Sequence, residues 1–289
     1  MGDVELVGLY WTLSGPVEVH VGREWSLFDW RERCEEAAKV GFAGIGLWHA
    51  DLEHQLETRS LPEMKEIFDA AGLEHLELEF LMDWFLDPGD ERRTVADEQR
   101  RRLFDAAAVL EPHHIKVGNI PGSEAPLEQV TERFAELCAD AAEHHAATIA
   151  YELMPFDPNV RSLDAAIQLA VGAGAPNGGI AIDTWHMGKL GIAPEELRRV
   201  PLEYLAWIEL SDGQRENMPD FVDETINHRR LPGEGEFDVA AYVEVCRDHG
   251  YREPWGVEVL SEELRNLPME EIFRRAYETT SAQFRAGVR

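Results

Sequence analysis

The stretch Tyr10-Trp11-Thr12-Leu13-Ser14-Gly15-Pro16 closes the first β-rich run of the chain and holds one glycine. An open, doubly wound α/β sheet normally places a Gly-x-Gly-x-x-Gly phosphate turn at this point, and none is present there. Outward from it, short runs rich in β-branched and aromatic residues alternate with longer stretches of helical spacing. The short runs fall at residues 4–13, 44–50, 74–82, 114–118, 148–154, 179–183, 205–210 and 255–260. The amphipathic stretches fall at 29–40, 62–71, 97–110, 127–145, 163–171 and 194–199, with 269–284 after the last strand. Ser60 ahead of Pro62, and Ser162 ahead of Leu163, are helix-start signals. Eight strands in 289 residues is about 36 residues per unit, the scale of a βα repeat. The pattern therefore predicts a closed (β/α)8 TIM barrel in preference to the doubly wound sheet, as one domain over residues 1–289. Its longest irregular segment, 211–237, lies between strands seven and eight, and long βα loops of barrels shape active sites.

Composition narrows the partners. The chain has 56 acidic and 27 basic side chains, a formal charge of −29, and 44% hydrophobic residues. That apolar fraction supports a core and rules out a disordered tail protein. A surface so negative repels phosphate backbones and anionic lipid, so nucleic acid and membrane are excluded in favour of a small neutral or metal-bound ligand. Residues 1–10 carry Asp3 and Glu5 and no basic start, and no apolar run reaches the roughly 18 residues of a membrane span, so a cytoplasmic protein is expected. Cys34, Cys138 and Cys246 are far apart, odd in number and without CxxC spacing, which suits buried reduced thiols.

Four late strands each carry an acid near the C-terminal end. Glu152 interrupts Ile149-Ala150-Tyr151 and Leu153-Met154, Asp183 ends Ile180-Ala181-Ile182, Glu209 splits Trp207-Ile208 from Leu210, and Glu258 splits Gly256-Val257 from Val259-Leu260. One such acid could meet an arginine or solvent. Four converging on one barrel mouth could not all stay ionised without a cation, because like charges raise one another's pKa values. A divalent metal resolves the conflict, and all-oxygen ligation suits hard ions such as Mn²⁺ or Mg²⁺.

Several motifs resemble those of the xylose-isomerase-like barrel superfamily of sugar isomerases, epimerases, inosose dehydratases and related lyases. These are Tyr151-Glu152 on strand five, Asp183-Thr184-Trp185-His186 (the family's Asp-x-x-His), Ile208 to Asp212 on strand seven, the Pro-Gly-x-Gly loop within Arg229 to Asp238, and Glu258 on strand eight. The resemblance covers nearly the whole chain and implies a metal held by Glu152, Asp183, Glu209 and Glu258. Mn²⁺ is the first choice, with Mg²⁺ or Co²⁺ able to replace it. Glu209 stands where the family usually has histidine, so either four carboxylates bind the ion or Glu209 swings away and water replaces it. The resemblance also makes Glu152 and Glu258 the acid/base pair, and His186 the contact to a substrate hydroxyl. It leaves Arg229 or Arg230 as the substrate-contacting arginine.

Among the early strands, Trp11, Trp48, His49, Glu79, Trp84 and Lys116 are further candidates, because aromatics at a barrel mouth can pack on the apolar face of a sugar ring. Core packing is the competing reading for the tryptophans. For Lys116 it is a pairing with Glu152 or another barrel carboxylate. The implied chemistry is proton abstraction next to a carbonyl through a metal-stabilised enediolate, on a sugar or cyclitol. Proton return decides epimerisation or isomerisation, and loss of a β-leaving group from an inosose or 3-keto glycoside, C-glycosides included, makes a lyase or dehydratase. Endonuclease-IV-like phosphodiesterases share the barrel, but use many histidines and bind DNA, against which the charge argues. A non-catalytic sugar-binding protein with a structural cation is the remaining class. A homo-oligomer, or a second subunit completing the site, is compatible with the chain.

Overall fold

A computed structural model of the chain describes residues 4–20, 22–144 and 147–286. Its strands are β1 (Leu6–Gly8), β2 (Gly44–Trp48), β3 (His75–Leu81), β4 (His114–Val117), β5 (Thr148–Glu152), β6 (Gly178–Asp183), β7 (Leu205–Leu210) and β8 (Trp255–Val257). Each pairs in parallel with its sequence neighbours, and β8 returns to β1 through Leu6–Trp255, Val7–Gly256 and Gly8–Val257, which closes the (β/α)8 barrel. Strands covered by helices outside and side chains inside are buried on both faces, so β2, β4 and β6 are buried at every position.

Local chemistry sets the helices. Asp29 caps Trp30–Val40 by accepting from the Arg31 N–H. Ser60 and Glu63 form a reciprocal capping box at the start of Leu61–Ala71, and Ser162 caps Leu163–Ala173. The further helix Glu91–Leu110 starts earlier than its apolar spacing predicts, because Asp90 caps it and a polar, Arg-rich first half precedes the apolar face. Leu127–Glu143 forms as expected, and the predicted end at His145 lies outside the described residues, as do residues 1–3 of the leader reading.

Three expectations change. Strand one is not 4–13: pairing stops at Gly8 and Tyr10–Leu13 is a helical turn. Thr12 explains the turn, since its hydroxyl donates to Val257 O at 2.7 Å and accepts from Val259 N–H at 2.7 Å, tying the turn across the end of β8. Residues 194–199 form a 3₁₀ helix between Pro194 and Pro201, too short for an α-helical ladder. The segment 211–237 is not wholly irregular, because Asp220 caps a helix over Phe221–Asn227. A helix over Val239–His249, capped by Asp238, also precedes β8.

The segment 211–237 is pinned at its base by one carboxylate. Asp212 accepts from the N–H groups of Gly213, Gly233, Gly235 and Phe237 at 2.7, 3.0, 2.9 and 3.0 Å. The Pro-Gly-x-Gly spacing follows from this, since a Cβ on Gly235 would stand 2.1 Å from Asp212 Oδ1.

The core has three parts. The largest lies between barrel and helices, with Trp30, Trp84, Phe134, Tyr151 and Phe273 among its members. A plug of Val7, Leu9, Ala150, Ala181 and Trp207 fills the barrel interior, and Tyr10, Trp11, Trp48, Phe80, Met154 and Leu260 cluster separately at the mouth. Cys34, Cys138 and Cys246 are free and buried. No helix among the described residues is long and apolar enough to cross a membrane.

Candidate active site

Strand register brings the acids together. Asp183 on β6 lies beside Glu209 on β7, and Glu79 on β3 lies beside Lys116 on β4. Glu152 ends β5, and Glu258 follows directly after β8. Ligand atoms of Glu152, Asp183, Glu209 and Glu258 lie within 4.8 Å of one another, and all four residues are buried. Space for Glu209 depends on Gly256, where a Cβ would come within 3.1 Å of Glu209 Cγ and 2.9 Å of Trp207 Nε1.

Two cations sit among these acids. Lys116 Nζ is 2.5 Å from Glu258 Oε1, 2.9 Å from Glu209 Oε1 and 3.1 Å from Glu79 Oε2. Arg229 Nη1 donates to Asp183 Oδ2 at 2.8 Å and approaches Glu258 Oε2 at 3.3 Å, while its Nε donates to Thr225 O at 3.0 Å. The Arg229 guanidinium also lies over the Trp185 ring, 4.6 Å from its centroid. His186, on the helix Thr184–Leu190 that Asp183 caps, places Nε2 3.1 Å from Glu152 Oε1.

These contacts separate the acids by protonation. Burial alone would raise the Glu152 carboxyl, but Lys116, His186 and Arg229 outweigh it and hold it at about 2. Burial pushes Asp183 up to about 6 against the pull of His186 and Arg229. Burial and the neighbouring Glu258 raise Glu209 well above the usual carboxylate range. Burial also lifts Glu77 to about 8, although Lys116 draws it down. Burial works against the Lys116 ammonium, but the surrounding carboxylates, Glu152 and Glu209 first, reverse this and push its pKa up.

The donor set fits a divalent cation. Four oxygen donors come from β5, β6, β7 and the residue just after β8, and Glu209 Oε2 is buried with no hydrogen-bond partner among the described residues.

Above the acids lies a cavity of about 90 Å³ lined by Trp11, Trp48, Glu79, Lys116, Glu152, His186, Arg229 and Glu258, with further apolar groups including Phe80, Met154 and Phe156. Trp11 and Trp48 have ring centroids 4.7 Å apart, and Trp48 stacks on Phe80 at 6.2 Å. Of the sequence candidates, His49 stays behind Trp48 on the helix His49–Leu56 and does not line the cavity. The Arg230 side chain is exposed and donates to the Glu234 backbone, whereas the Arg229 side chain is buried and faces the acids. Trp84 belongs to the outer core against Phe134 and Tyr151. The pairing reading holds for Lys116, with Glu79, Glu209 and Glu258 as partners at hydrogen-bonding distance, and the same residue also faces the cavity.

Sequence reasoning missed Glu77 and His114, whose Oε1 and Nε2 are 2.9 Å apart in the barrel interior. It also missed Thr225 and Ile226, which reach the cavity from the helix Phe221–Asn227. The signal for Glu77 was the alternation His75-Leu76-Glu77-Leu78-Glu79, which equally describes a half-exposed strand.

A family model for the xylose isomerase-like TIM barrel matches residues 34–282. The chain is 26% identical over 239 residues to 3-dehydroshikimate dehydratase of Pseudomonas aeruginosa, covering 82% of this chain but 37% of that protein, so it spans little more than a third of that relative. It is 24% identical over 258 residues to inosose isomerase of Bacillus velezensis, covering 87% of this chain and 89% of the relative. The crystal structure of an IOLI protein with a bound zinc atom shares the fold, with a TM-score of 0.82 at 19% identity over 97% of this chain and 98% of that one.

Proposed function

The chain belongs to the xylose isomerase-like TIM barrel family, and from that premise we propose that it is a divalent-metal-dependent sugar or cyclitol isomerase or epimerase. Its reaction is removal of a proton next to a carbonyl, with return of a proton to the same carbon or its neighbour. The observation that supports this most directly is the pair Glu152 and Glu258, two buried acids that line one cavity from strands far apart in the barrel wall. Glu152, Asp183 and Glu258 would hold the cation, with Glu209 within reach as a fourth oxygen. All-oxygen donation suits Mn²⁺ or Mg²⁺, with Co²⁺ able to replace them. The ion would supply Lewis acidity toward a substrate carbonyl and an adjacent hydroxyl.

The chain's own groups divide the remaining work. Glu152, held ionised at neutral pH by Lys116, His186 and Arg229, takes the proton from carbon at a carboxylate oxygen. Its bond to His186 Nε2 fixes its direction, and His186, which also lines the cavity, would meet a substrate hydroxyl there. Glu258 serves the other face of the carbon, steadied by Lys116 and Arg229. Trp11, Trp48 and Phe80 exclude water and offer flat apolar surface to a sugar ring. Likeness to a dehydratase favours a second outcome at the same site, loss of a β-leaving group after the same proton removal.

Proton NMR in D₂O tests the reading, with metal-stripped and Mn²⁺-loaded protein offered free ketoses, inososes and 3-keto glycosides. Metal-dependent deuterium entry next to the carbonyl is expected, and the product separates epimerase, isomerase and lyase. A substrate that is turned over with no exchange at that carbon would overturn the mechanism.

A further inference from the structure

Lys116 and Glu209 form one unit. The ammonium is 2.9 Å from Glu209 Oε1, 2.5 Å from Glu258 Oε1 and 3.1 Å from Glu79 Oε2, so acids of three strands hold it in place. Lys116 lines the cavity, whereas Glu209 does not. Asp183 does not line it either; the ammonium holds one Glu209 oxygen, Oε1, and leaves Oε2 without a hydrogen-bond partner among the described residues. A divalent ion in contact with all four acids would also press against a positive nitrogen bonded to two of them, and Coulomb repulsion is strong in a buried site. That repulsion is lessened by placing the ion toward Glu152, whose ligand atom lies within 4.8 Å of those of Asp183 and His186, although Arg229 Nη1 still stands 2.8 Å from Asp183 Oδ2 on that side.

On the reading that this site binds a divalent cation, we propose that Glu209 is not a ligand of that cation but the anchor of Lys116. The Lys116 ammonium occupies the β7 side of the site. Glu152, Asp183 and Glu258 hold the ion, and water completes its coordination. The ammonium is then a fixed positive donor on the cavity wall beside the ion, able to hydrogen-bond a substrate oxygen that gains charge during the reaction. Glu209 acts through Lys116 and is a positioning residue.

Mn²⁺ titrated into chelator-stripped protein tests this, with calorimetry for affinity and water-proton relaxivity for the number of exchangeable waters on the ion. Glu209→Gln is expected to bind one Mn²⁺ within about tenfold of the parent affinity and with unchanged relaxivity. Glu258→Gln removes a direct ligand and should weaken binding beyond the roughly 10–100-fold typical of outer partners. Lys116→Met frees Glu209 to turn onto the ion, so affinity should rise and relaxivity fall as a water is displaced. The double variant Lys116→Met/Glu209→Gln removes the ammonium and the Glu209 charge together, with Glu79 and Glu258 the acids that still lose a partner. It guards against a folding defect in the single variant and should restore the parent relaxivity. Loss of binding in Glu209→Gln as large as in Glu258→Gln would make Glu209 a ligand and overturn the proposal. Failure of parent and variants alike to bind Mn²⁺ would instead remove the metal reading above, and this inference with it.

Discussion

The two halves of the barrel hold acids in different company. In β5 to β8 the acids Glu152, Asp183, Glu209 and Glu258 stand at or just past strand ends and point toward the mouth, with Arg229 and His186 attached to them from loops and a short helix. In β1 to β4 the polar groups Glu77, Glu79, His114 and Lys116 are stacked in the interior and bonded to one another or across to the late half, beneath an aromatic wall of Trp11, Trp48 and Phe80. Glu152 and Glu258 of the late half line the cavity, as do Glu79 and Lys116 of the early half, whereas Glu77 and His114 pair with each other in the barrel interior. Burial is nearly complete in both, so position along the strand, rather than burial, separates an acid that lines the cavity from one that does not.

That contrast can be broken in order of expected effect. Glu152→Gln or Glu258→Gln should lower turnover by about 10²–10⁴-fold, the range for a lost acid or base, while circular dichroism shows the parent's fold. Parent-like turnover in both would remove the reacting role of the late half. Lys116→Met in the early half should instead cost stability, about 3–5 kcal/mol as for a buried pair that loses one partner, measured by urea unfolding of metal-free protein.

A pH series sharpens the same point. Glu77 is raised in the folded chain from an ordinary 4.5 to about 8 by burial, so folded protein holds a proton that unfolded protein releases. Its contribution to stability is full below about pH 4.5 and is lost as pH rises toward 8. Glu77→Gln should therefore flatten the decline in melting temperature over that window, and an unchanged slope would place the proton elsewhere. The smallest effect belongs to Arg230→Ala, expected within about 0.5 kcal/mol of the parent in stability and without consequence for metal binding, because Arg230 is exposed.

The late half was legible because an acid inside an apolar strand is costly unless it has a task, and each of Glu152, Asp183, Glu209 and Glu258 breaks such a run. The closed barrel was legible for a similar reason, since eight buried parallel strands need eight apolar runs. The early half was harder. Glu77 and Glu79 alternate with leucines as in a strand with one wet face, and only closure of the barrel turns that face inward. The turn at Tyr10–Leu13 depends on Thr12 meeting Val257 and Val259 almost the whole chain away, and no local window contains that information. The choice between Arg229 and Arg230 turned on side-chain direction after the helix Phe221–Asn227, which spacing does not encode.

Asp212 gathers four N–H groups from Gly213 and from residues 233 to 237, so the intervening stretch begins and ends at one carboxylate. The ends of that stretch stay clasped whatever its length, and lengthening a loop with fixed ends adds only a slow logarithmic entropy cost. Thr225, Ile226 and Arg229 lie inside it and face the cavity. The molecule thus carries a clasped segment in which residues 214–223 could be rewritten by laboratory grafting, while Thr225 and Arg229 stay to meet each other and the barrel acids.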